Sequence, residues 1–142
     1  MKLGNRSGFT LLEVIIVIII IGVLASLALP RFFSTVEYSR GSEAMQSLAT
    51  VRQSVERYYL MRSTYNNATI GGATPNLDVE DPGTVPNAHF TYGIATGATA
   101  YTITATRNTR DGGNGGTIGV TFSGPPGNTV TRSGTTPFGA IQ

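Results

Sequence analysis

A chain of 142 residues is long enough for one domain and too short to bury a large core. It has no cysteine, which excludes disulfide staples, thiolate chemistry and a cysteine-ligated metal. Ten Lys and Arg stand against eight Asp and Glu, but Lys2 and Arg6 supply the whole excess. The basic balance is therefore no sign of a nucleic-acid partner, and no basic run with interleaved aromatics supports one.

The first element is an apolar helix. From Val14 to Pro30 there is no charge, and Val14 to Ile21 is an unbroken β-branched run. Phe9 to Pro30 is 22 residues. At about 1.5 Å per residue this is roughly 33 Å, enough to cross a hydrocarbon layer of about 30 Å. Lys2 and Arg6 precede it, so the positive-inside tendency keeps them in the cytoplasm and sends the rest outward. Glu13 is the odd residue, because a carboxylate in hydrocarbon demands a partner.

Three readings compete. A secretory signal cut after Ala28, to start the chain at Leu29, leaves Glu13 inside the apolar core. A plain single-span anchor gives Glu13 no partner. Removal of residues 1–8 as a leader, with cleavage between Gly8 and Phe9, creates a new amino group one helical turn before Glu13. Pairing within one chain is awkward, but the amine of one copy can meet Glu13 of an axially offset copy.

The stretch SGFTLLEVIIVIIIIGVLASLALPRF resembles the class III signal and amino-terminal helix of type IV pilins and of type II secretion pseudopilins. Gly8 matches the residue before the scissile bond, Phe9 the N-methylated mature terminus and Glu13 the family's acid. Pro30 matches a proline that bends or locally opens this helix, and Lys2 and Arg6 match the basic leader. The resemblance implies cleavage and methylation by a membrane-embedded prepilin peptidase. An inner-membrane assembly platform and its ATPase then draw subunits into a helical filament made of copies of the chain. It implies a single-pass precursor in the inner membrane with its carboxyl-terminal domain outside the cytoplasm. A cell-surface pilus, or a periplasmic pseudopilus, follows.

The helix is expected to continue over residues 31–61 with an amphipathic character. Gly41, Ala44, Leu48, Val51, Val55 and Tyr58 or Tyr59 recur at steps of three and four, which makes one apolar stripe. Residues 62–88 read as a loop punctuated by Gly71-Gly72, Pro75, Asp81-Pro82-Gly83 and Pro86. Asp78, Glu80 and Asp81 in this loop form a solvated turn without a complete set of oxygen ligands, so no metal site is assigned. Alternation over 89–94, 100–107 and 117–123 predicts antiparallel strands, with a short fourth near 129–132 after the Pro125–Asn128 turn. DGGNGG at 111–116 lacks the lysine and spacing of a phosphate loop and reads as a hairpin link. His89 has no paired acid in the sequence pattern and reads as a strand-edge residue.

These elements give an α+β fold: a long helix whose second half packs on a small antiparallel sheet. The expected parts are a leader at 1–8, a membrane and filament-core half at 9–30, an amphipathic half at 31–61, and a loop-and-sheet domain at 62–142. No catalytic cluster and no cofactor motif stand out, so an enzyme is not expected. The Thr- and Gly-rich, charge-poor surface favours a major pilin, serving adhesion, motility or DNA uptake. The chain lacks the carboxyl-terminal disulfide loop of many major pilins and the tryptophan-containing stretch of typical pseudopilins. A pseudopilin, major or minor, a minor or competence-type pilin, and a membrane-tethered binding module with an uncleaved helix are the alternatives.

Overall fold

The computed structural model describes residues 8–72, 74, 76–124 and 129–140. Lys2, Arg6, most of the leader and the Pro125–Asn128 turn lie outside the described residues. The chain divides into two compact units, the first ending at Val36 and the second running Glu37–Gln142. Its secondary structure is one helix, α1 (Leu11–Arg62), followed by four strands, β1 (Phe90–Thr96), β2 (Ala100–Arg107), β3 (Thr117–Ser123) and β4 (Thr129–Gly134). Single turns of 3₁₀ helix lie at Pro82–Thr84, Arg110–Gly112 and Phe138–Ala140.

The helix begins at Leu11, two residues later than the apolar pattern alone gave, because Thr10 caps it. The Thr10 hydroxyl accepts a hydrogen bond from the Glu13 amide at 3.2 Å. The Thr10 carbonyl takes the first helical bond, from the Val14 amide at 3.3 Å. From Val14 to Pro30 the helix carries no charge on any side, and its large apolar side chains are exposed: Ile15 at 39%, Ile19 at 58%, Leu27 at 69%. This stretch is long and apolar enough to cross a membrane. Pro30 sits inside the helix without ending it. Its ring nitrogen cannot donate to the carbonyl one turn earlier. Just beyond it, the Ser34 and Thr35 hydroxyls both donate to the Arg31 carbonyl, at 2.8 and 3.0 Å.

In the second unit the expected stripe is the buried one. Gly41, Ala44, Leu48, Val51, Val55 and Tyr58 are buried, joined by Ser54, and Tyr59 is half-buried. The helix ends at Arg62, where Ser63 turns into the left-handed region (φ 55°) and its amide bonds the Tyr59 carbonyl at 2.7 Å.

The sheet is an antiparallel meander in the order β1-β2-β3-β4. Ile94 pairs with Ile103, Ile103 with Val120, and Val120 with Arg132. One face carries Phe90, Tyr101, Ile103, Ala105, Ile118 and Val120, which form the core with Leu48, Val51 and Val55. Phe138 closes the core from the last turn, its ring 5.6 Å from that of Phe90. The other face follows the opposite phase of each strand and is small and polar. The chain is thus α+β, a long helix with an antiparallel sheet, as the periodicities require.

Candidate assembly site

Gly8, Phe9 and Thr10 are exposed and precede the helix. The peptide bond between Gly8 and Phe9 is accordingly open, with nothing within 4 Å of where a side chain on Gly8 would begin. Phe9 is 84% exposed. Together with Glu13, Val14 and Val17 it lines a shallow depression on one side of the first turns. Glu13 is exposed and has no ion-pair partner among the described residues. The structure thus brings Phe9 and Glu13 to one face. Pro30, 17 positions beyond Glu13, belongs to no site with them.

The local chemistry adds a second role for Glu13. Thr10-Leu11-Leu12-Glu13 has the capping-box spacing, with Thr10 as N-cap and Glu13 as the third helical residue. A carboxylate there also suits the positive end of the helix dipole. Phe9 and Val14 occupy the flanking positions of a hydrophobic staple. This pattern was readable in the sequence.

Several polar clusters lie among the described residues of the second unit, and four of them involve charged groups or buried phenols. The first centres on Arg107, whose side chain is fully buried. Its guanidinium meets the Glu37 carboxylate through two bonds, Nε to Oε2 at 3.0 Å and Nη2 to Oε1 at 3.1 Å. Nη1 donates to the carbonyls of His89 and Asn108 at 3.1 and 3.2 Å. Arg40 adds a bond to Glu37 at 2.6 Å. The Arg107 guanidinium holds the Glu37 carboxyl below the usual carboxylate range, against a smaller opposing effect of burial. The strand alternation Tyr101, Ile103, Ala105 points one step further to Arg107, and that extension was the available signal for an inward arginine.

The acids of the 62–88 loop lie at the surface, Asp78 and Glu80 exposed and Asp81 half-buried, and two of them have protein partners. Asp78 accepts from Arg57 Nε at 2.7 Å and Nη2 at 2.9 Å, and also from the Ser54 hydroxyl. Arg57 and Ser54 pull its pKa down to about 2. Asp81 accepts from the Gly83 amide at 2.8 Å and caps a 3₁₀ turn. Asp78 and Asp81 are thus held by protein donors, and the described residues show no metal-ligand cluster.

His89 does have a nearby acid. Its Nδ1 lies 3.4 Å from Asp111 Oδ2, because the 108–116 link folds back beside the start of β1. The Asn108 amide donates to the His89 carbonyl at 3.0 Å and fixes that return. The fourth cluster is Glu56, which accepts from the phenols of Tyr65 at 3.0 Å and Tyr101 at 2.6 Å. Burial, reinforced by the Glu56 charge, pushes Tyr65 up to about 12, and Tyr101 is raised for the same reasons.

Comparison with known proteins divides the chain at the same place as its chemistry. Residues 3–29 match the prokaryotic N-terminal methylation motif. Residues 30–117 match the family described as type IV minor pilin ComP, DNA uptake sequence receptor. A type IV major pilin protein of Neisseria gonorrhoeae is 36% identical over 77 residues, covering 53% of this chain and 47% of that protein. The type II secretion system core protein G of Aeromonas hydrophila is 35% identical over 65 residues, covering 46% of each. The type IV major fimbrial protein of Dichelobacter nodosus is 35% identical over 72 residues, covering 51% of this chain and 46% of the relative. The chain spans about half the length of the curated relatives it matches. No solved structure matches. An exposed apolar helix capped at Thr10, a meander sheet and these two matches together lead to one conclusion: the chain belongs to the family of the ComP model, within the type IV pilins and pseudopilins.

Proposed function

We propose that the chain is a structural subunit that polymerises into a helical type IV pilus. The observation that carries this reading is the first unit. Its helix has no polar face to turn to water, yet its side chains are exposed. Lipid satisfies such a helix before assembly, and equivalent helices satisfy it afterwards.

The parts then follow. Residues 1–8 are the leader, with Lys2 and Arg6 setting topology. Residues 9–30 anchor the precursor and later form the filament core. Residues 31–61 and 62–142 are displayed outside the cytoplasm. Prepilin peptidase cuts between Gly8 and Phe9 and methylates Phe9. The Phe9 amine of one copy then meets Glu13 of the next, which removes the cost of an unpaired carboxylate in an apolar core. Moving helices from lipid to a bundle regains little hydrophobic energy, so an ATPase and its membrane platform fit as the drive. Pro30 supplies a point where this helix can open in the filament.

Intact mass and amino-terminal sequencing of protein sheared from cells test the reading. A chain starting at methylated Phe9 supports it. A start at Leu29 sinks it, and an uncut membrane-bound chain puts the tethered module ahead.

A second reading has its own support. The model matched over 30–117 describes a minor pilin that receives DNA. Arg52 and Arg132 line one surface depression with Val130 and Thr131, which could meet phosphates there. Duplex DNA binding that weakens steeply with salt, and falls on Arg132→Ala, would favour this role over the bulk filament subunit. The pseudopilin alternative rests on the relatives of the type II secretion system. Recovery from the periplasm instead of sheared fibres distinguishes it.

A further inference from the structure

The β2–β3 link at 108–116 carries a pair of residues that none of the polar clusters uses. Of the chain's asparagines, only Asn114 is followed by glycine. Asn114 and Gly115 are exposed and lie outside every strand and helix, whereas Gly116 is buried. Gly116 is also fixed. Its carbonyl accepts from the Arg107 amide at 2.8 Å, and a side chain on it would run into the Thr136 carbonyl and the Phe138 ring. From this fixed position the Gly116 amide donates to Asn114 Oδ1 at 3.1 Å. That bond closes an Asx turn, which curls the Asn114 side chain back over its own peptide bond to Gly115. Asn114 Nδ2 makes a long contact with the Thr136 carbonyl, at 3.5 Å. The Gly115 amide has no acceptor among the described residues. Gly115 has φ 73° and nothing within 4 Å of where a side chain would begin.

We infer that Asn114 is a site of spontaneous deamidation and that the fold promotes the reaction. The Gly115 nitrogen attacks Cγ of Asn114 and loses its proton to solvent base. A new C–N bond forms, the bond to Nδ2 breaks, and ammonia leaves with a proton from water. The product is a cyclic succinimide. Water opens it at one carbonyl to give aspartate, or at the other to give isoaspartate, which has one more methylene in the backbone. Nothing is oxidised or reduced. Three features favour this site. Glycine places no Cβ beside the attacking nitrogen, whereas Asn67, Asn76, Asn87 and Asn108 precede Ala68, Leu77, Ala88 and Thr109. The Gly116 N–H already points at Oδ1, the atom on which negative charge develops during attack, and a fixed donor there acts as an oxyanion hole. The Gly115 amide has no hydrogen bond within the fold to give up before it reacts. Either product carries a carboxylate in place of a neutral amide, so each converted copy gains a negative charge on an exposed link. The reaction belongs to the sheet domain alone and is the same in a pilus subunit and in a pseudopilin.

Peptide mapping by mass spectrometry tests this on the full chain in detergent, aged in mildly alkaline buffer beside a sample held unfolded in denaturant. The Asn114 peptide is expected to convert before any other asparagine peptide. It should show the mass gain of NH2 replaced by OH, in aspartyl and isoaspartyl forms that separate by chromatography. The folded chain should convert at least as fast as the unfolded one, because only the fold holds the Gly116 donor in place. Gly115→Ala should slow conversion about tenfold, since a Cβ then crowds the nucleophile. Asn114→Ser should abolish it at this peptide. If Gly115→Ala fails to fold, the comparison of folded and unfolded samples of the unaltered chain still decides. A folded sample slower than the unfolded one overturns the inference, because the fold would then protect the pair. First conversion at another asparagine overturns it, and so does the absence of conversion at Asn114 in both samples.

Discussion

At the scale of single residues, buried charge makes the sharpest demands. Arg107 is sealed in the core and Glu37 is its carboxylate. Glu37→Gln keeps the shape but leaves the guanidinium without its counter-charge. We expect a loss of about 2–3 kcal/mol in denaturant unfolding of the full chain in detergent. Arg107→Met, by contrast, removes the charge with its demand and should cost less than E37Q. The acid limb of stability has a defined sign. Glu37 and Asp78 titrate lower in the folded chain than their ordinary values of 4.5 and 3.8. Their contribution is therefore complete above those ordinary values and is lost as pH falls, for Asp78 through about 2. The tyrosines act at the other end. Tyr65, raised to about 12, contributes fully below pH 10 and loses its contribution as pH rises through about 12. A melting-temperature profile against pH should show both limbs, with Asp78→Asn flattening part of the acid one. None of these pairings was legible in the sequence. Glu37 and Arg107 are 70 positions apart, and spacing carries no information at that range.

At the scale of elements, periodicity told most of the story. Helical spacing located Leu48, Val51 and Val55, and strand alternation located Ile103 and Ile118, because those faces are apolar for one reason only. Leu48→Ala should cost about 3 kcal/mol, read by the same unfolding experiment, since a fully buried side chain leaves a cavity. Ser54 was missed because a hydroxyl interrupts the apolar count, although it lies three residues after Val51. The helix starts at Leu11 because Thr10 and Glu13 stand at capping-box spacing, a polar signal that an apolar count passes over. That box supplies a discriminating experiment. Glu13→Gln keeps the cap and loses the charge, whereas Thr10→Ala loses the cap and keeps the charge. If Glu13 serves assembly, E13Q should be processed yet yield at least tenfold less filament, measured in the sheared fraction. T10A should assemble. The β2–β3 link has a steric limit as well. A side chain on Gly113 would run into the Asn108 carbonyl and the Arg107 guanidinium, so Gly113→Ala should lower the melting temperature.

At the scale of the whole molecule, the two units answer to different solvents. The first exposes what a water-soluble domain would bury, and the second buries what such a domain should. In detergent both should persist. Transferred to water without detergent, the full chain is expected to precipitate or polymerise, as sedimentation would show. A chain lacking the apolar run would not be driven to do so. The sheet has a further property. Strand order across it equals strand order along the chain. Each strand needs only the one made just before it, and no place in the sheet is held open for a later arrival. A sheet domain that emerges through a narrow channel in chain order could therefore be laid down strand by strand, every new strand finding its neighbour waiting. β4, last to emerge, then adds itself as an edge and displaces nothing.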